Sequence, residues 1–134
     1  TDFADPATFP YLSVCSTSTH DSETLRMWLG GRLKTISYTS EDTGETYYDA
    51  AAKECEKVLR DNLASKSMFA IFPLQDWMSI NEKDRNRFAY SERINNPAVP
   101  HWIWKYRMHI TIEKLQESDA LNNQISKLIK ESGR

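Results

Sequence analysis

An apolar run, a polar loop and an amphipathic segment follow one another near the start of the chain. Residues Tyr11–Cys15 form the apolar run, and from about Ser22 to Gly30 the apolar side chains recur at helical spacing. This order predicts a strand that leads into a helix. We expect the helix to end at Gly30 and Gly31, because glycine is a poor helix former and readily adopts the left-handed conformation of a helix end.

A helix and a second strand are predicted further along. Apolar positions recur at helical spacing over Asp49–Leu63, and the run Met68–Phe72 is apolar without alternation. Such a run is typical of a parallel strand that is buried on both faces, and Pro73 closes it. A last helix is expected from Ser118 or Asp119 to Gly133.

The intervening segments show no regular pattern. Leu33–Gly44 is predicted to be a connection with a polar surface tip at Ser40–Glu45. No long regular element fits Asn86–Pro100. Strand, helix, connection, helix and strand make a βαβ unit, so the fold class is α/β.

Two parallel strands cannot enclose a core without neighbouring strands. The chain also begins at Thr1, with a strand-like segment soon after it. We therefore expect residues 1–134 to be a piece of one larger domain, with no separate second domain.

Composition excludes several classes of function. The 134 residues are 40% hydrophobic and 27% charged, and the net charge of −2 gives no overall field that would attract nucleic acid. No apolar stretch is long enough to span a bilayer. The two cysteines, Cys15 and Cys55, are expected to be buried thiols, and the three histidines have no metal-binding spacing. We expect no metal and no cofactor.

The loop after the first strand carries the first candidate chemistry. Ser18, Thr19, His20 and Asp21 lie at a strand-to-helix junction, where α/β proteins concentrate their functional residues. Asp21 either caps the next helix or reaches into a cleft, and His20 either bonds a loop carbonyl or faces the same cleft. Asp76 lies at the second such junction, where capping the turn after Pro73 is the expected role.

The segment Glu82–His109 mixes six basic and three acidic residues with aromatic side chains. One hypothesis is a non-catalytic module that binds a glucan or RNA through Trp102, Trp104 and the nearby arginines. Trp102 is then a candidate sugar contact. The alternation of Trp104, Tyr106 and Met108 with polar residues favours a structural role for part of this run. A truncated reading frame without activity is a third possibility.

Four motifs together resemble glycoside hydrolase family 77, the 4-α-glucanotransferases, which include the amylomaltases and disproportionating enzymes. They are Ser16–Arg26, Phe72–Trp77, Glu92–Pro97 and Trp104–His109. The order of the motifs is similar to that of the family along nearly the whole chain. The sequence is most similar to the cytosolic disproportionating-enzyme branch.

The resemblance implies the C-terminal portion of a (β/α)8 TIM barrel, containing its last two strands, about Leu12–Ser16 and Met68–Phe72, their helices and a terminal helix. It implies a retaining double displacement whose nucleophile and acid/base lie outside this chain. By motif, Asp21 matches the carboxylate that stabilises the transition state, His20 donates to the same sugar, and Asn95 contacts the glucan.

The resemblance further implies the partners. They are maltose and α-1,4-glucans or heteroglycan acceptors, together with the upstream part of the same barrel, in the cytoplasm and in starch and carbohydrate metabolism. Nucleic acid and membranes are not expected partners. The isolated chain is predicted to be catalytically inactive, because the pair of carboxylates that retaining chemistry requires is not carried by any family-like motif here.

Overall fold

The computed structural model describes residues 5–41 and 43–134, which fold as a small mixed α/β unit. In chain order the regular elements are β1 (Val14–Cys15), α1 (Leu25–Leu33), β2 (Ile36–Thr39), β3 (Thr46–Asp49), α2 (Ala52–Leu63), β4 (Phe69–Ala70), α3 (Leu74–Met78), α4 (Ile112–Gln116) and α5 (Asp119–Glu131). Short 3-10 helices at Pro6–Thr8 and Ala89–Glu92 complete them. The predicted helices over Asp49–Leu63 and from Ser118 or Asp119 onward are thereby confirmed.

Strands β1 and β4 pair in parallel, as predicted, with Val14 opposite Phe69 and Cys15 opposite Ala70. Both are shorter than the apolar runs that predicted them. The prediction that Met68–Phe72 is buried on both faces is wrong for this chain, because Phe69 and Ile71 are exposed. One face of the pair therefore presents apolar side chains to solvent.

Helix α1 passes through the two glycines and ends at Leu33, so the predicted end at Gly30 and Gly31 is wrong. Lys34 caps it in the left-handed conformation, with φ of 53°. Gly30 is instead needed for packing, since a Cβ there would lie 2.5 Å from backbone atoms of Asp49 in β3. The glycine lets the helix approach the strand closely.

We expect Gly30→Ala to lower the free energy of unfolding by about 1–3 kcal/mol, because the added methyl group meets backbone that cannot move aside cheaply. Gly31→Ala is the matched control. Its Cβ would meet nothing within 4 Å, and alanine is the better helix former by up to about 1 kcal/mol. Urea unfolding of the two variants should shift the midpoint in opposite directions; equal shifts would contradict this account.

An antiparallel hairpin of β2 and β3 occupies part of the predicted connection Leu33–Gly44, with Ile36 opposite Asp49 and Thr39 opposite Thr46. At its tip Ser40 N–H donates to the Glu45 carbonyl at 2.9 Å. Asp42, within the predicted polar tip, lies outside the described residues. The hairpin packs against α1, and its Tyr38 and Tyr47 rings lie against the Phe88 and Tyr90 rings of the segment after α3.

The core lies between α1, α2, α3 and α5. Its most buried apolar side chains include Leu25, Leu59, Met78 and Leu121. Cys15 and Cys55 are buried free thiols, as predicted, and burial raises the pKa of Cys55 to about 11. Within residues 5–41 and 43–134, no helix is long and apolar enough to cross a membrane.

Candidate active site

The loop between β1 and α1 is fastened from below by Asp76. Its Oδ2 accepts hydrogen bonds from the hydroxyls of Thr17 (2.5 Å) and Ser18 (2.6 Å), and its Oδ1 accepts from the Leu25 N–H (2.9 Å). The Asp76 side chain thus caps α1 from another helix, and the prediction that it caps the turn after Pro73 is wrong. Burial raises its pKa, although these three bonds oppose the rise.

Asp21 lies on the solvent side of this loop, and its side chain is 52% exposed. Asn95 Nδ2 donates to Asp21 Oδ1 at 2.7 Å, and His20 Nε2 lies 3.4 Å from Asp21 Oδ2. The hypothesis that Asp21 caps α1 is wrong, because Asp76 bonds that helix end. The structure therefore brings His20, Asp21 and Asn95 together at the carboxyl end of β1.

The backbone fixes the same three residues. The Asn95 N–H donates to the His20 carbonyl at 3.1 Å, which ties the Asn95 segment to the loop. The His20 ring also lies 5.4 Å from the ring of Trp104, whose side chain is 58% exposed. Sequence reasoning assigned the Trp104 alternation partly to structure and missed this neighbour, since no local pattern links positions 20 and 104.

Trp102 supports the Asn95 segment from behind. Its indole N–H donates to the Ile94 carbonyl at 2.8 Å, so a ligand would meet the ring rather than the nitrogen. Arg93 Nε donates to the Asn95 carbonyl at 2.9 Å, and its Nη1 lies 3.7 Å from Glu23. Trp102 therefore has a structural role, and its contact with a sugar stays a prediction.

A buried charged cluster lies beneath the site and was not predicted. Arg26 of α1, with 1% of its side chain exposed, donates to Asp49 through Nε (2.9 Å) and Nη2, to Glu92 Oε1 (3.0 Å) and to the Asn86 carbonyl (2.7 Å). Burial lowers the pKa of Arg26, but the two carboxylates outweigh it and the net direction is upward. The arginine remains charged and joins three segments.

A groove of about 450 Å³ runs beside the loop. Its lining consists of Ser16, Thr17, Ser18, Thr19, Ser22, Glu23 and Trp28. Most of the hydroxyls there donate within the chain, those of Thr17 and Ser18 to Asp76 and those of Ser16 and Ser22 to loop carbonyls. In the described part of the chain, no three His, Cys, Asp or Glu side chains are grouped so as to hold a metal ion.

A carboxylate held in this way has a definite chemical capacity. Asn95 and His20 approach different oxygens of Asp21, and about half of the side chain remains open to solvent. These two contacts orient the Asp21 carboxylate and leave part of its hydrogen-bonding capacity free. Its oxygens retain lone pairs that can accept hydrogen bonds from neighbouring hydroxyls of a ligand.

Comparison with known proteins matches the same region. The model of glycoside hydrolase family 77, described as 4-alpha-glucanotransferase, matches residues 1–112. The 4-alpha-glucanotransferase DPE2 of Oryza sativa subsp. japonica is 32% identical over 137 aligned positions, which cover 99% of this chain and 14% of the rice protein. The 4-alpha-glucanotransferase of Chlamydia caviae is 32% identical over an alignment that covers 86% of this chain. That of Chlamydia muridarum is 29% identical over 87% of this chain.

The chain spans only 14% to 23% of the length of these relatives. Their names all describe a glucanotransferase, so they lend no support to the hypothesis of a non-catalytic binding module. The family match includes the β1 loop with His20 and Asp21 as well as Asn95. By this match over most of its length, the chain belongs to glycoside hydrolase family 77, the 4-alpha-glucanotransferases.

Proposed function

We propose that residues 1–134 are the C-terminal part of a (β/α)8 catalytic barrel, with β1 and β4 as its last two strands. The parallel pairing of these strands supports this, because parallel strands follow one another around such a barrel. The exposed apolar side chains of Leu12, Val14, Phe69 and Ile71 support it too, since the remaining strands would cover them.

The proposed reaction is transfer of α-1,4-linked glucosyl or glucan units from maltose or a malto-oligosaccharide to an acceptor glucan or heteroglycan. It proceeds by a retaining double displacement, in which a nucleophilic carboxylate and an acid/base carboxyl act about 5 Å apart. Both groups come from other parts of the barrel. This chain supplies contacts to the sugar that reacts.

The cluster of His20, Asp21 and Asn95 is the observation that carries the proposal. It lies at the carboxyl end of a parallel strand, which is the catalytic face of barrel enzymes. Asp21 accepts hydrogen bonds from sugar hydroxyls, and these strengthen as positive charge develops on the ring. His20 donates to the same sugar, while Asn95 keeps the carboxylate in place and contacts the glucan. The ring of Trp102 is a further sugar contact.

Supporting roles follow from the same arrangement. The chemistry uses carboxylates and sugar hydroxyls, so we propose no metal and no cofactor. Neutral glucans rather than nucleic acids or membranes are the proposed partners, in agreement with the net charge of −2. We propose a cytoplasmic setting in carbohydrate and starch metabolism, as the resemblance to the cytosolic disproportionating-enzyme branch implies.

Glucose release from maltose, with glycogen as acceptor, tests the proposal. We expect the purified 134-residue chain to release none, because the two carboxylates that break the bond are contributed by other strands. A longer polypeptide that carries this segment together with those strands should release glucose and elongate the acceptor. Glucose release by the chain alone, or failure of the longer polypeptide to transfer, would contradict it.

A further inference from the structure

The buried cluster of Arg26, Asp49 and Glu92 holds one guanidinium against two carboxylates. When both carboxylates are ionised, the cluster carries a net charge of −1 in a site that is almost closed to water. An uncompensated buried charge is costly, and it is relieved when one carboxyl binds a proton. The cluster is therefore built to hold one proton more than the same groups would hold in water.

Hydrogen bonding identifies the carboxyl that takes this proton. Asp49 accepts two N–H groups of Arg26 and the Ala50 N–H at 2.8 Å. Glu92 accepts from Arg26 through Oε1 at 3.0 Å, whereas its Oε2 is buried without a partner among the described residues. The ionised form of Glu92 is thus the less well satisfied. Burial raises the pKa of Glu92 to about 7; the charge and hydrogen bond of Arg26 and a hydrogen bond from the Asn86 backbone oppose the rise, and the charge of Asp49 adds to it.

The other groups around Glu92 do not titrate in the same range. Gln75 of α3 donates its amide to the Glu92 carbonyl at 3.5 Å and carries no charge. Burial, with the charge of Glu92, raises the pKa of Tyr106, and burial raises that of Cys55 to about 11. Both stay neutral near pH 7, and Arg26 stays charged. His20 lines a small cavity together with Glu92, so its contribution has to be separated experimentally.

Glu92 is connected to the candidate active site on two sides. It precedes Asn95 by three residues, and its partner Arg26 lies on the helix that follows the Asp21 loop. A cavity of about 20 Å³ separates it from that loop, and Thr24 and His20 are among the residues that line it with Glu92. The Thr24 hydroxyl is the other buried side-chain atom that lacks a partner in the described part of the chain.

We propose that Glu92 is a positioning residue for the Asp21–Asn95 pair, and that uptake of a proton by Glu92 in the Arg26–Asp49–Glu92 cluster holds the Asn95 segment against the Asp21 loop. The catalytic meaning of this role rests on the proposed function. The coupling between the proton on Glu92 and the hydrogen bond from Asn95 to Asp21 does not depend on the proposed function.

The direction of the effect follows from the sign of the pKa change. A carboxyl whose pKa is raised by folding stabilises the folded arrangement fully below its ordinary range, and this contribution is lost as the pH rises through the folded pKa. As the pH rises through about 7, Glu92 becomes a buried anion with one unpartnered oxygen. Because this buried anion is unfavourable, the segment that carries Asn95 loosens, and the hydrogen bond from Asn95 to Asp21 weakens.

Nuclear magnetic resonance of the full chain tests this without an activity assay. The side-chain amide signals of Asn95 report its bond to Asp21, and we expect them to move with a midpoint near pH 7. In Glu92→Gln this midpoint should disappear, because glutamine has the shape of glutamate but does not titrate. In His20→Gln it should remain. The proposal would be overturned if the midpoint persisted in Glu92→Gln or disappeared in His20→Gln. It would also be overturned if the Asn95 signals of the unmodified chain did not change with pH.

A second measurement covers the case in which Glu92→Gln does not fold. The carboxyl carbon signal of Glu92 in the unmodified chain is followed directly against pH after labelling of glutamate. A midpoint near pH 7 supports the proposal, and a midpoint in the ordinary glutamate range, about 4–4.5, overturns it. A longer polypeptide in which Glu92 and the Asn95 signals titrate as expected, but which has no transferase activity, would contradict the proposed function. It would leave intact the coupling between protonation of Glu92 and the hydrogen bond from Asn95 to Asp21.

Discussion

Replacing Asp21 by asparagine is expected to reduce the turnover of glucan transfer by about 10²–10³-fold in a polypeptide that carries the whole barrel. Asparagine keeps the size of the side chain but removes the negative charge that faces the developing positive charge on the sugar. It also replaces one oxygen, which either His20 or Asn95 now approaches, by an amide nitrogen. The effect should appear mainly in kcat, because the lost interaction strengthens in the transition state.

The fold should tolerate this change, since Asp21 is half exposed and Asp76 rather than Asp21 caps α1. Circular dichroism and the thermal midpoint should match the unmodified protein. Asp61→Asn is the matched control, because Asp61 is an exposed aspartate on α2, outside the candidate site, whose pair with Lys57 spans 2.8 Å. Near-normal turnover in Asp21→Asn, or an equal loss in Asp61→Asn, would contradict the assigned role.

Replacing Arg26 by methionine is expected to lower the free energy of unfolding by about 3–5 kcal/mol. Methionine fills similar space but leaves Asp49 and Glu92 buried without their cation. The loss should be smaller at about pH 5.5 than at about pH 8, because Glu92 is protonated below its raised pKa of about 7 and then needs no cation.

Urea unfolding of the full chain at both pH values measures this loss. Arg60→Met is the control, since Arg60 is an exposed arginine with two carboxylate partners, Glu56 and Glu131. Exposed pairs of this kind contribute about 1 kcal/mol or less. If Arg26→Met lowered the free energy of unfolding no more than Arg60→Met, the buried cluster would not stabilise the fold as its geometry indicates.

The parts of the fold that sequence predicts are those with a strong local pattern. Helices α2 and α5 carry clear apolar stripes, and the strand-to-helix order after Leu12 is visible in the alternation of apolar and polar runs. The hairpin β2–β3 was missed because most of its side chains are exposed or half-buried polar and aromatic residues, which give no period-two pattern. The end of α1 was misplaced because Gly30 serves packing against Asp49, a contact between distant positions.

The sequence likewise predicts some residues of the candidate site and not others. The order of the motifs indicated that His20, Asp21 and Asn95 belong to one function, and the structure places Asn95 within 2.7 Å of Asp21 across 74 positions of sequence. Arg26 and Glu92 were not predicted, because charged residues usually mark a solvated face and burial of both depends on tertiary packing. No local feature shows which charges will lose water.

Asp76 has a consequence for how mutational surveys of this region are interpreted. It touches the Thr17 and Ser18 hydroxyls and the first N–H of α1, and its side chain is closed to solvent. Substitutions there would displace the Asp21 loop and uncap α1, which would lower both the stability of the fold and the activity of a polypeptide that carries the whole barrel. In a screen that scores function alone, Asp76 would be indistinguishable from a residue that binds sugar. Only an independent measure of folding would separate the two.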